Sequence, residues 1–154
     1  MNSIGFIVPN LGPNQLAYQA ILVANKLSRA DYDISFFFHE RLQPCTDLLV
    51  ASMHISEIHG YHGVLVSTNL ETTKYSLNVI NDIPRIFYIN DIEWLRGNRL
   101  YFDYINVLHD KRLKLAVRSP SHKNMVENFC NKNARLFTKI DIPEMIKYGH
   151  EKDN

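Results

Sequence analysis

With only two cysteines in 154 residues, Cys45 and Cys130, the chain has too few for a disulfide framework, and the pair lacks metal-ligand spacing. They read as reduced structural thiols of a cytoplasmic protein. Long apolar runs are also missing: none approaches the roughly 18–20 residues that cross a bilayer. The N-terminus lacks the basic start, apolar stretch and small-residue cleavage site of a secretory leader, so no membrane span or export is expected. Glycine is sparse, at six residues. Gly12 is the sole glycine in the first loop, where a dinucleotide fingerprint needs three. A Walker motif, a Gly-x-Ser-x-Gly elbow, a Cys-x-x-Cys pair and an RNA-recognition aromatic signature are all absent. NTPase, serine-hydrolase, thioredoxin-like and RNA-recognition-motif readings fall away with them. There is no internal repeat, low-complexity tract or linker.

What remains is ordinary globular material, 45% hydrophobic and 21% charged. A chain of this length closes one core and buries about two-thirds of its unfolded surface. Residues 1–150 therefore read as a single domain, and 151–154 as a disordered tail. Ser3 to Val8 is a nearly continuous apolar run, as in a strand buried on both faces of a parallel sheet. Pro9 to Asn14 is rich in turn residues, and Leu16, Ala20, Val23, Ala24 and Leu27 then take helical spacing. Further strands are expected at Ile34 to Phe38, Gly63 to Ser67, Pro84 to Ile89, Leu113 to Val117 and Ala134 to Thr138. Between them, helices are expected at about Leu70 to Ile80, up to Leu108, after the Ser119 cap with Pro120 at its first position, and as a turn over Ile142 to Lys147. Between Arg41 and Tyr61 the pattern weakens: Leu48 to Met53 reads as a short helix or a strand, and Met53 to Ile55 as a minor strand. Alternating strands and helices imply an α/β fold: a Rossmann-like open parallel sheet of about six strands with helices on both faces.

The carboxyl edge of such a sheet is where ligands bind. Asp91 and Glu93 follow the fourth of these strands and are the first candidates for acid/base catalysis, two neighbouring carboxylates able to divide roles. Asp91 as a helix cap and Glu93 as a solvated side chain is the competing reading. His39 ends the second strand as a candidate base or a structural histidine. Asn10, Gly12 and Asn14 in the first loop, and Arg118 with Ser119 after the fifth strand, are candidate ligand-binding positions ahead of helix N-termini. The competing readings are a plain strand-to-helix turn for the first loop and a structural cap for Ser119. Trp94 either stacks on a sugar ring or packs in the core. His54, His59 and His62 do not have zinc-protease spacing, and Gly60 interrupts any helix that would align them, so no metal is expected.

Four segments taken in order, Gly5-Phe6-Ile7-Val8, Gly63-Val64-Leu65-Val66-Ser67, Ile86 through Trp94, and Ala116-Val117-Arg118-Ser119, resemble the N-terminal, acceptor-side domain of GT-B glycosyltransferases. Short glycosyltransferase-like proteins of tailed bacteriophages belong to the same group. The resemblance covers most of residues 3–142. It implies sugar transfer with no cofactor besides a nucleotide-sugar donor, which the family grips largely with a second domain. This chain lacks that domain's Glu-containing donor motif. The resemblance therefore implies a separate donor-binding chain, a homo-oligomer that improvises a cleft, or a domain that now only binds. The aromatic residues Trp94, Tyr101, Phe102 and Tyr104 suit an association surface or a filled core.

Charge supplies a third reading. Residues 1–95 hold five basic and nine acidic side chains, whereas 96–147 hold eleven basic and five acidic. A basic second half faces nucleic acid or phosphate, or is simply a solvated surface.

Overall fold

Runs that are apolar at every position need helices above and below them, because both sides of the pleat must leave water. The computed structural model, which describes residues 2–152, meets that need with one sheet of seven parallel strands. They are β1 (Ser3–Val8), β2 (Asp33–Phe38), β3 (Ala51–His54), β4 (Val64–Ser67), β5 (Arg85–Ile89), β6 (Leu113–Val117) and β7 (Ala134–Leu136). The helices are α1 (Gln15–Leu27), α2 (Leu70–Asn78), α3 (Asn98–Leu108), α4 (Pro120–Cys130) and α5 (Ile142–His150). Short 3-10 helices occupy Ile55–Gly60 and Glu93–Arg96.

The fold is the Rossmann-like α/β class that the sequence implies, and β3 at its edge overlaps the minor strand expected at Met53 to Ile55. Ala51, Ser52 and His54 are exposed there, so this strand leaves no apolar run to read. The sheet order is β3-β2-β1-β4-β5-β6-β7. The chain thus winds outward from β1 to one edge, returns to β4 and winds to the other. Side chains of successive strand residues alternate between faces. Ile4, Phe6 and Val8 of β1 and Phe36 of β2 pack with Ala20, Ile21 and Ala24 of α1 and with Ile142, Met145 and Ile146 of α5. Ile7 and Phe37 point the other way, onto Ile55, Ile58 and Val79. The same face continues over β5 and β6 beneath α3 and α4, around Trp94, Tyr104 and Val126.

Four helices start on side-chain caps, which replace backbone partners missing from the first turn. Asn14 Oδ1 accepts from Ala17 N at 2.8 Å, and Ser119 Oγ from His122 N at 3.2 Å. Asp141 Oδ1 accepts from Glu144 N at 3.2 Å. Asn69 forms a reciprocal cap: its Oδ1 accepts from Thr72 N at 2.8 Å while Thr72 Oγ1 accepts from Asn69 N at 3.1 Å. Of the expected tail, Glu151 pairs with Arg135 at 3.0 Å, and 153–154 lie outside the described residues. Cys45 and Cys130 are free thiols, and burial pushes the Cys130 thiol up from its ordinary pKa. No helix among the described residues is long and apolar enough to cross a membrane.

Candidate functional site

The strand order reverses between β1 and β4, and open α/β sheets bind ligands in the crevice outside the carboxyl ends of the strands at such a point. Here the chain fills that crevice itself. Thr68 Oγ1 donates across it to Ile7 O at 2.9 Å. In the loop after β1, Asn10 Oδ1 accepts from Gly12 N at 3.0 Å, and Asn14 Nδ2 donates to Gly12 O at 3.3 Å while its Oδ1 caps α1. His39 N and Glu40 N both donate to Pro9 O, at 3.2 and 3.0 Å, and Leu42 lies against Gly12. Asn10, Gly12 and Asn14 thus spend these groups on the turn, and Asn14 borders a depression beside Pro13, Tyr18 and Cys45.

The open cleft is displaced by one strand. It measures about 430 Å³ and lies outside the ends of β4 and β5, walled by Asn69, Glu71 and Lys74 of the α2 start, Glu93 and Arg96, and Asp103 of α3. Lys74 Nζ bridges to Asp103 Oδ2 at 2.7 Å, joining α2 to α3 with both side chains about half exposed. Glu93 enters because β5 ends at Ile89 and the chain turns at once into the 3-10 helix. Its Oε2 accepts from the hydroxyl of fully buried Tyr104 and from Leu70 N, at 3.4 Å, in the first turn of α2. A carboxylate at a helix N-terminus is favoured by the helix dipole. Burial, then the hydrogen bond to Glu93, raises the Tyr104 pKa, so this hydroxyl stays a donor through neutral pH.

Asp91 and Glu93 take different partners. Asp91 is bound by Arg96 and does not line the cleft, whereas Glu93 does. Trp94 is 8% exposed, with Phe129 stacked on it at 4.6 Å and Tyr104 edge-on at 4.9 Å. Its ring is committed to the core beneath the cleft, which corrects the sugar-stacking reading. His39 stands apart, edge-on to Tyr75 at 5.4 Å, and its Nε2 is buried with no hydrogen-bond partner among the described residues. His59 meets the same tyrosine at 6.5 Å, while His54 caps the first 3-10 helix through Ser56 N. Among the described residues, no group of three His, Cys, Asp or Glu side chains is placed to hold a metal. Arg118 is exposed at the end of β6, and Ser119 is the α4 cap.

No family model matches this chain, and neither does any curated protein or solved structure. The site is therefore read on its own chemistry. Three carboxylates, two cations, one amide and Leu70 line the opening, a wall that offers donors and acceptors but no concentration of positive charge. Such a wall suits a neutral, many-hydroxyl ligand better than a pyrophosphate, which calls for clustered N–H and guanidinium donors. Sequence reasoning found Glu93 but not Lys74 or Asp103. They stand 29 positions apart, and nothing local couples them.

Proposed function

We propose that this chain is a glycosyltransferase-like, acceptor-side domain that holds a saccharide hydroxyl donor in the cleft between α2 and α3. The observation that carries the reading is Glu93. Its carboxylate sits at the carboxyl edge of a Rossmann-type sheet, with Oε2 held by Tyr104 and Leu70 N, in a cleft whose other groups suit hydroxyls. A carboxylate fixed in this way can accept the proton of a sugar hydroxyl as that oxygen attacks the anomeric carbon of a nucleotide sugar and the bond to the departing nucleotide phosphate breaks. The donor half of the reaction comes from a second chain or a second copy. Two free thiols accord with a cytoplasmic setting.

Titration calorimetry against mono- and oligosaccharides, with and without nucleotide sugars, tests the proposal. Wild type is expected to bind one saccharide class. Glu93→Gln retains an oxygen for Tyr104 and Leu70 N but loses the charge, so affinity should drop about tenfold or more, as for a charged hydrogen bond of about 1.5–3 kcal/mol. Absence of binding by wild type across the whole panel sinks the reading.

A second reading, that the fold is kept to hold a partner, has one observation in its favour. Beside the cleft, Leu95 and Phe102 are 71% and 72% exposed, and Tyr101 is partly exposed between Phe102 and Phe129. The expected anchor is therefore Phe102 with Leu95, since Trp94 is buried. Sedimentation equilibrium should show a dimer of wild type that Phe102→Ser weakens by about tenfold or more, the loss of one large apolar anchor. A monomer at every concentration removes self-association.

A further inference from the structure

Residues 111–139 contain eight basic side chains and a single acidic one, Glu127. In sequence this is only a bias. The sheet order makes it a surface: β6, α4 and β7 are consecutive, and β7 is the last strand, so the whole excess gathers at one edge. β2 and β3, from the acidic part of the chain, form the opposite edge. Flanking acids do not cancel the excess, because 110–152 still holds ten basic and five acidic residues.

Some of these cations have structural work. Arg112 is held by Asp110 at 2.7 Å, Arg135 by Glu151 at 3.0 Å, and Lys132 donates to Asp110 O at 2.8 Å. Arg112 correspondingly holds the Asp110 carboxyl below its usual pKa. Lys111, Arg118 and Lys139 are exposed and distributed along the edge, Lys111 before β6, Arg118 after it and Lys139 after β7. A five-residue strand such as β6 covers roughly 17 Å. Three contiguous grooves follow β7, sharing Arg135 and Leu136 or Asn133 and Tyr148 in their walls. On α4, Asn124 and Asn128 lie one turn apart and are exposed, and Asn131, the left-handed residue that ends the helix, is exposed just beyond them. Amides offer a donor and an acceptor together, the combination that reads base edges, whereas lysine and arginine take phosphates.

We propose that the β6-α4-β7 edge binds nucleic acid, its cations on the phosphodiester backbone and its asparagines toward the bases. An acidic protein surface fits less well, because it makes no use of exposed uncharged amides on the helix that lies between the two basic strands in sequence. This inference does not rest on the saccharide reading of the cleft.

Fluorescence anisotropy with labelled single-stranded RNA, single-stranded DNA and duplex DNA, at several salt concentrations, tests it. At low salt, binding of at least one of these in the micromolar range is expected. Its affinity should fall with salt, the logarithmic slope shrinking by about 0.7–0.9 for each phosphate contact removed. Arg118→Glu with Lys139→Glu should weaken binding at least tenfold and flatten that slope. Arg29→Glu, a charge reversal at an exposed residue before β2, should change affinity less than threefold. No binding at low salt, salt-independent binding, an equal effect of Arg29→Glu, or preference for phosphatidylserine vesicles or poly-glutamate over every oligonucleotide overturns the proposal. Should the double variant fail to fold, cross-linking of wild type to thiouridine RNA decides: adducts within 111–139 support the edge, and adducts confined to 1–95 refute it.

Discussion

Replacing Arg85 with methionine is expected to cost about 3–5 kcal/mol of stability, the scale for stranding several buried polar groups. Arg85 is 2% exposed, in a strand otherwise made of Ile, Phe and Tyr. No carboxylate pairs with it in the described contacts. Its guanidinium instead donates to the carbonyls of Ser76, Val79, Asn81 and Ile83 and to Asn81 Oδ1, at distances from 2.6 to 3.0 Å. The last turn of α2 lacks intrahelical partners for its carbonyls, and a cation there also meets the negative end of the helix dipole. Burial, with Arg112 nearby, lowers the Arg85 pKa from its ordinary value, yet an arginine remains charged at any working pH. Methionine matches the length but takes the guanidinium from the Asn81 and Ile83 carbonyls, while Ser76 O and Val79 O keep only the backbone donors Val79 N and Asn81 N, at 3.4 and 3.1 Å. In urea the midpoint should fall with little change in slope, and the melting temperature by about 10 °C. Arg85→Lys should recover less than half, because an ammonium cannot reach both sides as a planar fork does. A methionine variant as stable as wild type would refute this account of how α2 ends.

Gly63→Ala is expected to cost about 2–3 kcal/mol, the upper part of the range for forced overpacking. A Cβ on Gly63 would stand 2.5 Å from Ser3 O and 2.6 Å from the Tyr61 hydroxyl. The first is backbone of β1, so relief requires moving the central strand pair and not merely a side chain. Tyr61 is also constrained, sharing a 3.0 Å hydrogen bond with Ser3 Oγ. Gly60, three residues earlier, is the control. It is exposed, has open space where a Cβ would go and does not need a positive φ. Gly60→Ala should therefore stay within about 0.5 kcal/mol of wild type. Chemical denaturation of the two variants side by side settles the point, and equal stabilities would refute it.

Much of the fold is legible because each signal is local. The apolar runs at Ser3–Val8 and Leu113–Val117, and the cap at Ser119, depend on neighbours within a few residues. α5 was legible only as a turn. Its full length emerges from packing, where Gly149 lets the helix approach Val64 so closely that a Cβ would lie 2.8 Å from both methyl groups. The role of Arg85 is not legible, since the carbonyls it binds, from Ser76 to Ile83, converge on it only in the folded chain. The site divides in the same way. Glu93 was legible from its place after a strand, but its separation from Asp91 was not, because Tyr104 and Arg96 choose between two adjacent carboxylates only in three dimensions.

By itself, then, the sequence determined the element order, the α/β class, the carboxyl-edge position of Glu93 and the charge asymmetry between its two parts, all of which follow from composition, periodicity and short-range capping. Tertiary structure alone decided the strand order, and with it the closing of the switch point by Thr68, the opening of the cleft one strand away and the gathering of scattered cations along one edge. The reason is physical. Parallel strands gain their partners through crossovers of many residues, so which strands become neighbours is settled by how helices cover both faces of the sheet, a property that no local stretch of chain contains.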